Sequence, residues 1–219
     1  MNTQELTSRL LREYGTTYAD EAGIALRDTP APLYQLLVLT VLCSIRIKAD
    51  IATAAAREIF GAGLRTPRAM ADSRWQARVD ALGRAHYVRY DESTATALGE
   101  GAALVLDRWK GDLRNLRAEA HREPSAVREL LQEVPRIGPV GVDIFCREAQ
   151  QVWPELRPFF DGRTCETAAS LGLPHTPNGL GRLVEPKDLA RLAAALVRVR
   201  LSKDAVSELR PREHVRGHP

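Results

Sequence analysis

The sequence predicts an all-α fold, and three observations carry that expectation. Apolar residues recur at three- and four-residue spacing almost throughout, which is the period of one helix face. Strand-type alternation is scarcely seen, and prolines and glycines fall where helices start and stop. With 44% hydrophobic residues in 219, the chain can bury a real core as one compact domain or two small lobes, which excludes a disordered tail protein.

Leu6, Leu10 and Leu11 mark a first short helix, and ALRDTPAP supplies a turn with a proline near the next helix start, expected to run from Pro32 to Cys43. Ser44 to Lys48 form a polar, basic joint. Asp50 is then expected to cap an alanine-rich helix reaching about Phe60, which Gly61 and Gly63 stop. Thr66-Pro67 reads as a capped start, Ser73 begins another short helix, and Gly83 breaks the chain before a long segment from about Asp91 to Trp109, ended by Lys110-Gly111. Helices from Pro124 to Val134 and from about Val140 to Val152 flank the sequence PRIGPVG, and Trp153-Pro154 closes the second. After ELRPFFDGRT a helix resumes to about Leu171, PHTPNGLG is turn-rich, an amphipathic helix spans about Pro186 to Arg200, and RPREHVRGHP reads as a frayed polar tail. No internal repeat is visible.

The net charge is only +3, so any attraction to nucleic acid must come from local clustering. Cys43, Cys146 and Cys165 are odd in number and far apart, the pattern of reduced thiols rather than of a disulfide framework. The charged start MNTQELTSRLLREYG has no apolar signal core, and the run from Leu36 to Cys43, interrupted by Thr40, is too short to span a membrane. A soluble cytoplasmic monomer is expected, nucleoid-associated in a bacterium. His121, His175, His214 and His218 lack metal-ligand spacing, so no zinc site is expected.

Chemistry concentrates in two places. A tight turn holding Gly138 between two helices presents successive backbone N–H groups, and the second helix aims its positive end outward, a geometry that binds phosphate without reading bases. Taken alone, PRIGPVG is an ordinary interhelical turn. Asp161 lies 23 residues beyond Gly138, at the mouth of the next helix; taken alone, it is a helix cap.

Together these segments resemble the endonuclease III and adenine-glycosylase superfamily, the helix-hairpin-helix DNA glycosylases. That family's Leu-Pro-Gly-Val-Gly hairpin, helix and catalytic Asp find counterparts in VPRIGPVGVDIF and FFDGRT. LYQLLVLTVLCSIRIKAD is similar to its apolar helix and Ser-rich turn, RTPRAM to its Thr-Pro-x-Ala-Met start, and DGRTCETAASLGL to its post-aspartate helix. The resemblance covers roughly residues 30 to 173. It implies two helical lobes with a DNA-binding cleft between them: a six-helix-type lobe over 28–152 including the hairpin, and a second lobe of 1–27 plus 153–219 carrying Asp161.

Departures from the family refine what it implies. Val140 stands where bifunctional members carry the lysine that forms a Schiff base, and no other lysine lies near the hairpin in sequence, so base excision without strand cleavage is expected. No cysteine follows Cys165, so an iron–sulfur cluster is not expected. The first hairpin glycine is replaced by Arg136, a residue that tolerates a positive φ poorly but adds a candidate phosphate contact. No acidic residue occurs between Asp28 and Asp50, where the adenine-specific branch keeps its proton donor, although Asp161-Gly162 is similar to that branch's Asp-Gly.

The resemblance thus implies a monofunctional DNA glycosylase of base excision repair, with Asp161 stabilising an oxocarbenium-like sugar and activating water. Its partner is double-stranded DNA containing a damaged base. Without acid assistance, an alkylated purine, already cationic and weakly bonded, is the expected substrate. Arg46 is similar in position to the family's plug residue, which fills the stack when a base is flipped. The expected DNA contacts are Arg46, Lys48, Arg136, Ile137, Gly138, Val140, Gly141 and Arg163. The carbonyls of Gln132, Val134 and Ile137 are the implied seat of a monovalent cation. Ser44 to Met70 carries five cations against two carboxylates, of which Arg57 with Glu58 reads as a solvated face. Trp75, Trp109 and Trp153 are expected chiefly in the core, and His86, Tyr87 and Tyr90 serve packing or phosphate contact. The alternatives are a noncatalytic helix-hairpin-helix DNA-binding protein and a helical protein-interaction module.

Overall fold

In the computed structural model, residues 2–202 and 204–209 are described, and among them there is no strand. The expected tail over 210–219, with His214 and His218, lies outside the described residues. The α-helices in order are α1 (Thr3–Tyr14), α2 (Tyr18–Glu21), α3 (Pro30–Cys43), α4 (Ala49–Gly61), α5 (Pro67–Asp72), α6 (Trp75–Arg84), α7 (Asp91–Trp109), α8 (Leu113–Glu119), α9 (Pro124–Leu131), α10 (Pro139–Ala149), α11 (Gly162–Ser170), α12 (Pro177–Gly181), α13 (Leu189–Leu201) and α14 (Ala205–Leu209).

Two compact units form: residues 17–157, and residues 1–16 with 158–219. The centre of the first is α3. It starts at Thr29-Pro30, where the missing proline N–H is no loss. Its residues from Leu36 to Leu42 are all buried, so the helix is apolar around its whole circumference and must be covered on every side. Helices α4, α10, α7 and α8 cover it, and α5 and α6 pack on α7. In the second unit α13 is the hub for α1, α11 and α14. There Leu6, Leu10, Leu171, Leu192 and Leu196 share one core, each worth about 1.5–3 kcal/mol on full burial.

Several element ends differ from expectation. Lys48, not Asp50, is the N-cap of α4, with Asp50 in the first turn where its charge favours the helix dipole. Ser73 closes α5, its hydroxyl donating to the Met70 carbonyl at 2.6 Å, and α6 starts at Trp75. Gly83 lies inside α6, and the chain turns at His86, which has a φ of 58°. Helix α8 was not anticipated; Asp112 caps it by accepting the Arg114 N–H at 2.9 Å, and Leu113 and Leu116 are buried. Within the turn-rich PHTPNGLG, Thr176 caps the short α12.

The unit boundaries fall at 16/17 and 157/158 rather than 27/28 and 152/153, and buried polar contacts explain why. The Glu148 carboxylate on α10, 1% exposed, accepts the N–H groups of Tyr18 (3.3 Å) and Ala19 (2.9 Å) and so ties α2 to the first unit. Arg117 on α8 donates to Asp28 at 2.8 Å and to Glu155 at 2.7 Å. It also lies over the Trp153 ring at 5.3 Å, and the Trp153 indole donates to Asp28 at 3.0 Å. These bonds fasten both chain ends of the unit to its centre.

Candidate nucleic-acid interface

The segment between α9 and α10 is a hairpin whose shape follows from Pro135. Proline fixes a negative φ there, Arg136 has a φ of 68°, and the Ile137 N–H donates to the Val134 carbonyl at 3.0 Å; together these define a type II turn. Arginine therefore occupies the place such turns reserve for glycine. Holding a left-handed backbone there costs about 1–2 kcal/mol. Gly138 then serves as N-cap of α10 in extended conformation, φ −92° and ψ −169°, with no side chain to cap the helix. Pro139 has no N–H, so Val140 and Gly141 contribute the first amide groups at the positive end of α10. A Cβ on Gly138 would meet nothing within 4 Å, so neither conformation nor crowding within the protein calls for glycine there.

Neighbouring helices fix the hairpin's position. A Cβ on Gly141 would come within 2.6 Å of the Ser44 hydroxyl oxygen and 3.2 Å of Ile137, so this glycine lets α10 pack against the end of α3. A Cβ on Gly101 of α7 would be in ordinary contact with Val134 and Pro135, at 3.4 and 3.9 Å, which places α7 beside the hairpin. Arg128 pairs with Asp143 at 2.9 Å across the two hairpin helices, and Arg108 of α7 reaches Glu133.

Of the expected contact residues, Arg136, Gly138 and Val140 are exposed on the hairpin, and Arg46 and Lys48 are exposed on the joint that Ser44 brings against it. Ile137 is 3% exposed and its side chain belongs to the core, so its backbone is the part that faces the turn. Gly141 is buried, and its missing Cβ lets α10 pack against the end of α3 while its amide stays at the start of α10. Of the other cations between Ser44 and Met70, Arg57 donates to the Glu21 carbonyl and Arg65 to the Phe60 carbonyl, both at 2.9 Å, and Arg68 stays exposed 3.9 Å from Asp72, while Glu58 pairs with Arg84 at 2.7 Å.

The turn at His86 adjoins the hairpin. Tyr87 is fully buried and donates to the Leu42 carbonyl at 3.1 Å. Burial pushes its hydroxyl up to about 12, and Arg136 is close enough to act in the opposite direction. Nothing in the sequence spacing signals Ser44, Tyr87, Arg128 or Asp143 as supports, because their contacts join separate helices. Trp109 and Trp153 are core residues. Trp75 is 39% exposed and lines a recess of about 450 Å³ with Arg89, Tyr90 and Asp91. Burial pushes the Cys43 and Cys146 thiols up to about 12, and all three cysteines are free.

Asp161 belongs to the other unit. It is the N-cap of α11, its Oδ1 accepting the Thr164 N–H at 3.0 Å, while the Thr164 hydroxyl donates back to the Asp161 carbonyl at 2.7 Å. Partial burial, and after it the Asp161 charge, raises the Cys165 thiol above its ordinary value. Buried Phe160 precedes Asp161, and Gly162 and Arg163 beyond it are exposed.

The carbonyls of Gln132, Val134 and Ile137 lie between the end of α9 and the start of α10, and that of Val134 already accepts the Ile137 N–H. Among the described residues no cluster of three His, Cys, Asp or Glu side chains is placed to hold a metal. Nor is any helix among them long and apolar enough to cross a membrane.

No protein-family model and no curated protein matches the sequence. Among solved structures the chain is similar to a trapped endonuclease III–DNA covalent intermediate in an estranged-adenine complex, with 13% identity over 91% of this chain and 86% of that one and a TM-score of 0.51. It is also similar to a non-covalent endonuclease III–DNA complex, with 12% identity, the same coverage and a TM-score of 0.53. The all-α architecture is therefore the helix-hairpin-helix fold. The likeness to the endonuclease III structures is one of fold.

Proposed function

We propose that this protein is a monofunctional DNA glycosylase that removes an alkylated purine from duplex DNA. The observation that carries the reading is the α9–α10 hairpin: a left-handed Arg136, an extended Gly138 surrounded by open space, and the amide groups at the start of α10. A phosphate brought against Gly138 would account for a residue with no side chain at a place where one would fit. The similar folds were solved with DNA, which supports a duplex as the ligand. Arg46, Lys48 and Arg163 are the side chains proposed to track the backbone, and the carbonyls of Gln132, Val134 and Ile137 the proposed seat of a monovalent cation. A cation there would offset the negative end of α9 beside an incoming phosphate.

Asp161 acts on the sugar. As the N-glycosidic bond breaks, positive charge develops at C1′, and the carboxylate stabilises it while orienting the attacking water. With Val140, 45% exposed, in place of an amine, no covalent sugar intermediate forms on the hairpin. Helix α3 carries no acidic residue to protonate a poor leaving group, which favours bases that are already cationic.

A panel of lesion-bearing duplexes, each analysed with and without alkaline work-up, tests the reading. Breaks only after alkali, on alkylpurine substrates, are the expected result. Release of a neutral oxidised pyrimidine but no alkylpurine overturns the substrate assignment. A second reading, a noncatalytic DNA-binding protein, is favoured by the cap that Asp161 makes, since that contact alone would explain an aspartate at this position.

A further inference from the structure

Of the three tryptophans, Trp109 and Trp153 are 1% and 0% exposed, whereas Trp75 is 39% exposed. It lines the recess of about 450 Å³ together with Arg89, Tyr90, Asp91, Glu92, Ser93 and Thr96. A volume of that size falls within the range of small-molecule sites, about 300–1,000 Å³. The recess lies wholly in the unit spanning 17–157, where α6 meets α7. Its walls are fixed. The Trp75 indole donates to the Thr96 hydroxyl at 3.0 Å. One turn further along α6, buried Arg78 donates to the Ala95 carbonyl of α7 at 2.8 Å and to the Ser73 carbonyl at 2.9 Å.

What the lining offers a ligand follows from where its own hydrogens go. The Ser93 hydroxyl donates to the Tyr90 carbonyl at 3.1 Å and the Thr96 hydroxyl to the Glu92 carbonyl at 3.0 Å, while the Trp75 N–H is taken by Thr96. Asp91 Oδ1 accepts the Glu92 N–H at 2.8 Å, and the Glu92 carboxylate has no partner among the described residues. A first-turn carboxylate ordinarily answers the positive end of its helix, a role that Asp91 fills with that bond. The helix end does not call for an exposed tryptophan beside it. Arg89, the remaining side-chain donor, pairs with neither carboxylate and lies over the Tyr90 ring at 5.3 Å. The side chains of the recess thus hold a surplus of acceptors next to aromatic surface.

We propose that this recess is a binding site for a guanidinium cation, laid on the Trp75 ring and donating to the carboxylates of Asp91 and Glu92. A guanidinium has N–H donors and no acceptor, which matches the surplus, and its flat, weakly hydrated face stacks on an indole. Arg89 over Tyr90 is the same kind of contact made by the protein itself within the same lining. The cation is either the arginine side chain of another polypeptide or a free alkylguanidine. Such binding requires neither DNA nor Asp161.

Titrations of the full chain, followed by the NMR signals of the Trp75 indole and the Ser93 and Thr96 amides, test this. The probes are N-acetylarginine amide, which presents the side chain as a polypeptide does, agmatine, N-acetyllysine amide and the neutral N-acetylcitrulline amide, with sodium chloride as the blank. Both guanidinium probes are expected to shift these signals saturably, and the tighter of the two identifies a polypeptide or a small guanidine as the source. Citrulline amide should leave the signals in place, and lysine amide should bind more weakly than arginine amide because an ammonium lacks the flat fork. Glu92→Gln changes a side chain that has no partner in the fold, so it should unfold as wild type does while binding the guanidinium probes about two- to fivefold more weakly. Trp75→Leu, read at Ser93 and Thr96, should weaken them about two- to fivefold as well. The site is refuted if the guanidinium probes give no saturable shift, or if sodium chloride moves the same signals equally. It is refuted too if citrulline or lysine amide binds as tightly as arginine amide, or if Glu92→Gln keeps the wild-type affinity.

Discussion

At Asp161 one carboxylate oxygen accepts the Thr164 N–H, a bond that asparagine makes equally well as a helix cap. Asp161→Asn should therefore unfold within about 0.5 kcal/mol of wild type, checked by denaturant titration, so that any loss of chemistry reports on charge rather than folding. Glu148 offers a different test. Burial raises its carboxyl above the ordinary 4.5, and the bonds from Ala19 and Tyr18 together with Arg147 only partly offset this, while Asp20 adds to it. A carboxyl whose folded value is raised contributes stability that is complete below pH 4.5 and is lost as pH rises through the folded value. The stability advantage of wild type over Glu148→Gln should accordingly shrink as pH rises above the ordinary 4.5. A gap that widens over this range would show that the charged form is the one the fold prefers.

The hairpin joins what the sequence made legible to what it did not. Its place between two helices could be read from PRIGPVG, because proline and glycine act locally on the backbone. The left-handed Arg136 could not, since an arginine in a glycine's place signals either a lost turn or a strained one, and only the backbone decides. Helix α8, Leu113–Glu119, is not legible in the sequence because two turns are too short for the apolar period to show. Ser44 and Gly141 share the same problem, as their contact joins α3 and α10 across the unit. Two glycines three residues apart should now behave oppositely. Gly141→Ala forces a Cβ to 2.6 Å from the Ser44 hydroxyl oxygen and should cost about 1–3 kcal/mol of stability by denaturant unfolding. Gly138→Ala enters open space in an extended backbone and should leave stability within about 0.5 kcal/mol. Its effect should appear instead as weaker duplex binding, because a methyl group would keep the phosphate from the backbone.

At the scale of the molecule, the all-α class and the helix-hairpin-helix identity of the fold follow from patterns repeated along the chain, whereas the boundaries of the two units depend on a few long-range polar contacts. Arg117 gathers Asp28, Glu155 and Trp153 within the unit spanning 17–157. Its side chain is 12% exposed while that of Asp28 is 38% exposed, so Arg117→Ala should cost about 2–3 kcal/mol, below the range for a fully buried pair. Calorimetry checks that value. The proposed chemistry requires that fold, a phosphate grip and one charged carboxylate. It is tested most directly by base release from an alkylpurine duplex, with wild type and Asp161→Asn compared at equal duplex occupancy. Wild type should leave abasic sites that break only under alkali, and Asp161→Asn should bind the same duplex while releasing base about 10²–10⁴-fold more slowly. Equal release by the two proteins, or strand breaks without alkali, would contradict the account.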